Sequence, residues 1–382
     1  MCLPYWQWVR LQNAPHARDL QRCRRATSDL SEQTRGEAPI PECHNNHVHP
    51  PSTLHIVRRA VLIALSVVVG ALTVVQSRVN GNVGLAVDDG LVVAWLSFTT
   101  SLTVTAVTVV CVPTLRAAVK RLRLARRRDA NGRRRLPAWQ LLGGLGGALF
   151  VTAQGITVPL LGVAVFTVAV VAGQNANSLV VDRLGFGPAG QQPITVLRVG
   201  AAVVATAGVT LAVSGQLGSA TFSIVGLVLT VVAGAAIAAQ QAVNARVGAI
   251  GETTWAGALV NFGVGWLAVS AVLVIQRSLL STAPLPQGWF HPWMLSGGLL
   301  GLMFILVATV AVAELGVLTF GLLSIAGQMI CALAFAALQP SPQAPFDWTL
   351  VLGVLITGVA VAVANADKAK RRSHAQGSAA AI

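Results

Sequence analysis

Uncharged amides recur in this chain where water would be absent. Gln76 and Asn80 stand at the end of one long apolar stretch and Gln240 and Asn244 at the end of another. Asn261 lies within a third, and Gln174 and Gln328 sit near the middle of two more. A carboxamide both donates and accepts hydrogen bonds without carrying charge, so in hydrocarbon it must find partners inside a helix bundle or on a bound solute. Two kinds of chemistry follow from the same residues. Amides hold apolar helices together, at about 1–2 kcal/mol in model peptides, and they bind polar solutes near a membrane midplane. For any single amide the packing role carries more weight; for the matched pairs Gln76 with Gln240 and Gln174 with Gln328 the two roles stand even.

The tract Gln174-Asn175-Ala176-Asn177-Ser178 concentrates this polarity. Gln174, Asn177 and Ser178 fall at helical spacings of three and four and so share one face. The matching tract, Gln328-Met329-Ile330-Cys331-Ala332, keeps only the glutamine. The first tract is therefore expected to supply more of the polarity of any solute path, with the pair Gln174 and Gln328 nearer mid-membrane than Gln76 and Gln240.

Apolar runs must position these residues. Only 10% of the 382 residues are charged and 54% are hydrophobic, whereas about a quarter of a soluble protein is charged. From Val57 onward the sequence predicts spans at 57–77, 90–113, 138–158, 163–181, 194–214, 222–242, 254–276, 293–313, 317–337 and 348–366. Each suits a bilayer core about 30 Å thick, which takes a helix of roughly 20 apolar residues. The runs are too long, and too free of polar alternation, for barrel strands. The expected fold is an all-α membrane protein of ten transmembrane helices.

The formal charge of +14 does not indicate nucleic acid, because the cations cluster beside the apolar runs. Arg116, Lys120, Arg121, Arg123, Arg126, Arg127, Arg128, Arg133, Arg134 and Arg135 crowd one connection, and Lys368, Lys370, Arg371 and Arg372 follow the last span. Basic connections face the cytoplasm. That rule predicts a multi-pass protein of the cytoplasmic membrane with both termini inside. Residues 1–56 are polar, lack an apolar run and are expected to be a disordered tail; a translation start near Val57 would omit them. Cys43, His44, His47 and His49 match no closed metal motif, so no metal or cofactor is expected. The five cysteines suggest no disulfide framework.

The chain also repeats itself. At an offset of about 164, GALTVVQSRVNGNVG at Gly70 lies on GAAIAAQQAVNARVG at Gly234, bringing Gln76 onto Gln240 and Asn80 onto Asn244. Leu96-Ser97-Phe98 falls on Val260-Asn261-Phe262 at the same offset. At about 154, Gly143-Gly144 falls on Gly297-Gly298, Phe166 on Phe320 and Gly173-Gln174 on Gly327-Gln328. Fixed-period similarity of this kind marks duplication. The expected units are 57–215 and 216–367, followed by a basic tail at 368–382. Five spans per unit place the second copy in the opposite sense across the bilayer, which is an inverted repeat.

GAAIAAQQAVNARVG, followed by ALVNFGVGWLAV and GGLLGLMFILVATVAVAELGVLTFGLLSIAGQ, resembles the YdcZ-like branch of the drug/metabolite transporter superfamily. The resemblance covers 57–366. The second half matches more closely, and the first departs at Ser77, Gly81 and Asn82, where the second has Gln241, Ala245 and Arg246. It implies a ten-helix bundle with a central path for a small metabolite. The expected function is secondary transport, as an exporter working by alternating access, with a non-transporting membrane scaffold as the alternative. Proton or ion coupling and oligomeric state stay open. Asp182 and Glu314 are the acids nearest the spans and read as interfacial, and the first span carries a Gln where small multidrug transporters of the superfamily carry a Glu. An enzyme is not expected, since no span holds a His, a Ser with a base, or a carboxylate pair.

Overall fold

A computed structural model of the chain describes residues 53–127, 135–186, 194–214, 223–279, 285–315, 317–338, 348–359 and 363. The tail with its Cys and His residues, the arginines at 128, 133 and 134, and the basic tail after 367 lie outside these residues, as do the side chains of Asp182 and Glu314. The described residues from Val57 on pack as one compact unit.

Every regular element among the described residues is helical. In order they are α1 (Thr53–Val87), α2 (Gly90–Cys111), α3 (Pro113–Ala125), α4 (Gly143–Leu184), α5 (Val196–Ser214), α6 (Ile224–Gly251), α7 (Thr254–Leu279), α8 (Ser296–Leu315), α9 (Val317–Leu338) and α10 (Trp348–Val359). Six stretches among the described residues are long and apolar enough to cross a membrane: Val57–Val87, Gly90–Cys111, Ala138–Val181, Ile224–Gly251, Thr254–Leu279 and Pro292–Ala311. The outside is apolar, with Val110, Val203, Leu267, Val274, Ile330 and Leu338 exposed, while Gln76, Asn80, Gln154 and Asn261 are buried. Such a surface reverses the arrangement of a soluble protein and suits hydrocarbon as its solvent.

Local sequence explains the helix ends. Asp89 caps α2, its Oδ1 accepting from the N–H of Leu91 (2.9 Å) and of Val92 (3.3 Å). Such a cap satisfies donors that the first helical turn leaves unpaired. Val112 turns out of the helix in an extended conformation and Pro113 opens α3, the first-turn position that proline favours. Ser223 caps α6 by accepting from Gly226 N–H. Four of the five threonines that make α2 look polar are satisfied within the helix, since Thr99, Thr100, Thr105 and Thr108 each donate to the carbonyl four residues back. They do not form a lining by themselves.

The two halves place their breaks at matching positions. Asp88 (φ 51°) follows α1 and Glu252 (φ 55°) follows α6, both left-handed and separated by the same offset as the amide motifs. Short 3₁₀ turns at Ala138–Leu141 and Pro292–Leu295 precede α4 and α8 at the other offset. A left-handed residue without glycine is uncommon, so its recurrence marks the same turn built twice.

The 42-residue α4 is two arms. Gly162 leaves helical geometry (φ 75°, ψ 158°) just after Pro159. Gly146 lies against the Ala236 carbonyl, and Asn177 Nδ2 donates to the Ala235 carbonyl at 2.6 Å. On a straight helix residues 146 and 177 would be about 46 Å apart. Meeting adjacent residues of α6 requires the chain to double back at Gly162, as the sequence predicts for the join at 158–162.

Two expectations are corrected. Helices α1 and α6 continue to Val87 and Gly251, beyond the expected ends at 77 and 242, so their amide motifs lie well inside the helices. The arginine-rich connection is not simply a loop, because its first part forms α3.

Candidate functional site

The amides gather into two clusters. The first joins α1, α2 and the first arm of α4. Asn80 Nδ2 donates to Gln154 Oε1 at 2.7 Å, Gln154 Nε2 donates to Ser77 Oγ at 2.8 Å, and Ser97 Oγ donates to Asn80 Oδ1 at 3.1 Å. Ser77 Oγ in turn donates to the Thr73 carbonyl, and Ser101 Oγ reaches the carbonyls of Ser97 and Gly298. All these side chains are buried. In an environment that offers no water, such mutual satisfaction is what permits amides to be enclosed.

The second cluster joins α6 and α7. Gln240 Nε2 (2.8 Å) and Asn244 Nδ2 (3.0 Å) both donate to Asn261 Oδ1. This leaves Gln240 Oε1 and Asn261 Nδ2 buried without a partner. The difference follows from sequence. Gln154 matches Ala308 in the second half, so the second cluster lacks the amide that joins Asn80 to Ser77 in the first.

Glycines let neighbouring helices close on both clusters. A Cβ at Gly297 would meet Asn80, and one at Gly143 would meet Asn244. At Gly298 it would meet the Ser97 carbonyl, and at Gly144 the Asn261 carbonyl; at Gly301 it would meet the Gln76 amide, and at Gly147 that of Gln240. The exchange extends along the helices. Gly327 backs onto Val67 of α1 and Gly173 onto Val231 of α6, while Gly70 meets Ser324 and Gly234 meets Val170. Each of these glycine contacts of one half on the other is thus returned with the roles reversed. Where α2 crosses α7, the equivalent residues Phe98 and Phe262 touch edge to face, with ring centroids 5.6 Å apart.

The two helices of that crossing are also tied at their ends. Arg277, closing α7, bonds Asp89 at 2.8 Å beside the start of α2. Arg121 of α3 pairs with Glu252 at 3.4 Å, just before α7, and donates to the Gly251 carbonyl.

The sequence-predicted residues fall into three environments. Asn80, Gln240, Asn244 and Asn261 belong to the buried clusters, and Gln76 is buried on α1 with its amide beside Gly301. Gln328 is buried on α9, its Nε2 donating to Ser324 Oγ at a long 3.4 Å. Gln174 is half-buried at the end of a continuously buried stretch from Leu161 to Gly173. On the same tract Asn177 gives its amide to the Ala235 carbonyl, Ser178 Oγ donates to the Asn175 carbonyl, and Asn175 Nδ2 is buried without a partner. Sequence reasoning missed Gln154. Its polarity within apolar surroundings, beside Thr152 and Thr157, was the available signal, but its counterpart Ala308 removed it from any search based on the repeat. No group of three or more His, Cys, Asp or Glu among the described residues forms a metal set.

A family model described as "Putative inner membrane exporter, YdcZ" matches residues 61–211 and, separately, 225–363. No curated protein matches the chain. Thirteen chains of solved structures do; one, described as "Crystal structure of protein", is 17% identical, with a TM-score of 0.47, over 81% of this chain and 96% of its own.

Proposed function

The chain belongs to the YdcZ family of the drug/metabolite transporter superfamily, and we propose that it is a secondary transporter exporting a small metabolite across the cytoplasmic membrane by alternating access. It is a membrane transporter by family. The finer reading has ten spans in two inverted five-span units, 57–215 and 216–367, with both termini cytoplasmic. The observation that carries it is the returned set of contacts: Gly297 on Asn80 with Gly143 on Asn244, and Gly327 on Val67 with Gly173 on Val231. Two-fold exchange of this kind supports a bundle whose halves rock about a common axis. The separate match of each half to the family model supports the same reading.

In this reading Gln174, Gln328 and Asn177 line the central path, and the motif residues Gln76, Asn80, Gln240, Asn244 and Asn261 close its two ends. The unpaired Gln240 Oε1 and Asn261 Nδ2 favour the second cluster as the end that engages a polar solute. A non-transporting scaffold is favoured only by the first cluster, whose hydrogen bonds are complete without a solute.

Reconstitution into proteoliposomes, with flux of a metabolite panel measured with and without a proton gradient, tests the proposal. Substrate-dependent flux that falls at least tenfold in Asn261→Ala, while the variant keeps its wild-type elution and melting profile, is the expected result. Absence of flux for every solute in correctly folded protein would leave the scaffold standing.

A further inference from the structure

Helix α3 carries its charges and its apolar residues on opposite faces. Ala118, Leu122 and Ala125, at spacings of four and three, are buried with Leu136, Val243, Val247 and Ala256. Ala118 and Leu122 close over Gly251, the last residue of α6. Arg116, Lys120 and Arg123 continue to Arg127 through a helical cap at Arg126, at spacings of four, three and four. At 100° per residue these four lie within one narrow stripe, opposite the buried face. All four are exposed, and the ion pairs between described residues, Arg121 with Glu252 and Arg277 with Asp89, include none of them. Arg121, the one cation of α3 that points sideways, is the one held, by Glu252 and the Gly251 carbonyl.

The position of the stripe selects its partner. Helix α2 has 22 residues, about 33 Å of rise, and so uses up the hydrocarbon thickness of about 30 Å by Cys111. The chain turns at Val112 and α3 starts at once, packed across the ends of α6 and α7 rather than projecting from them. The headgroup layer adds about 5–8 Å on each side of the hydrocarbon, and α3 lies at that level. Leu124, along one flank of the stripe, and Val110, at the end of α2, are exposed apolar residues, as an element lying against acyl chains requires. A nucleic acid or an acidic protein would match the charge but not this apolar flank.

We propose that the Arg116–Lys120–Arg123–Arg127 stripe is a docking surface for anionic phospholipid headgroups, held against the ends of α6 and α7 by the Arg121–Glu252 contact. Bound lipid thereby braces the end of α6, the helix that carries Gln240 and Asn244. This inference concerns lipid and does not depend on any transported solute.

The test uses the full chain in nanodiscs of phosphatidylcholine with a minor fraction of phosphatidylglycerol. The lipid retained after extraction is measured, together with the melting midpoint. Each surface cation contributes roughly a fivefold preference for anionic lipid at low salt. The quadruple variant R116Q/K120Q/R123Q/R127Q is expected to lose phosphatidylglycerol enrichment by more than tenfold, together with the rise in melting midpoint that this lipid gives. A variant that keeps the charge, R116K/R123K/R127K, is expected to retain both, and 0.5 M salt to weaken them. Because the four residues are exposed, misfolding is monitored by elution profile in phosphatidylcholine alone. Undiminished enrichment in the folded quadruple variant would overturn the proposal. So would inorganic phosphate displacing the lipid at millimolar concentration, or the stripe retaining RNA or an acidic protein while showing no lipid preference.

Discussion

Replacing Gln154 with leucine removes the side chain that completes the first amide cluster while roughly keeping its volume. Gln154 is fully buried and engages two residues of α1, accepting from Asn80 and donating to Ser77. Ser77 would lose little, because its hydroxyl still donates to the Thr73 carbonyl. Asn80 would be left with a buried N–H and no acceptor, which costs about 1–3 kcal/mol. The second lost bond adds about 0.6 kcal/mol, the average for interhelical bonds in a membrane protein. The expected destabilisation is therefore roughly 2–3 kcal/mol, measurable by reversible SDS unfolding of the purified chain in mixed micelles. A double-mutant cycle with Asn80→Ala and Gln154→Ala isolates the shared bond and should give a coupling of about 1 kcal/mol. Additivity of the two substitutions within about 0.3 kcal/mol, or a Gln154→Leu protein as stable as wild type, would refute the reasoning.

Close packing of α1 on α4 makes Gly84→Ala severe, because the added Cβ falls on the Gly155 carbonyl; little folded protein is expected in the main elution peak, whereas Gly263→Ala, where nothing lies within 4 Å, should elute normally. Asp89 both caps α2 and pairs with Arg277, so its roles can be separated. Asp89→Asn keeps the cap and should cost less than about 1 kcal/mol, since Arg277 is partly exposed and screened, whereas Asp89→Ala should cost about 1 kcal/mol more for the lost cap. Equal unfolding midpoints for the two variants would show that the cap contributes nothing.

What the sequence makes legible here depends on which interactions are local. The join before Gly162 and the amide motifs are written in short stretches with counterparts in the second half, so comparing the halves exposes them, whereas the left-handed turns at Asp88 and Glu252 share little sequence and emerge only in the backbone. The lengths of α1 and α6 are not written that way. Polar residues after Gln76 and Gln240 look like helix ends when each residue is valued against lipid. They remain helical because their side chains face partners in other helices, Asn80 on Gln154 and Asn244 on Asn261. Helix α3 was hidden for a related reason: its basic residues dominate the composition, while only three buried apolar positions, Ala118, Leu122 and Ala125, mark the face that packs.

Gln154 marks where self-comparison fails. A repeat exposes residues that both copies kept, yet the residue that distinguishes the two clusters is one that a single copy possesses. With Gln154 present, Asn80 finds both an acceptor in Gln154 and a donor in Ser97. With Ala308 in its place, the second motif keeps the same backbone approach, Gly144 on Asn261 as Gly298 on Ser97, but leaves one acceptor and one donor unpaired. Matching glycines therefore fix the packing that the halves share. The unmatched polar residues decide how firmly each end is held, and those can be found only by following each buried amide to its partner in three dimensions.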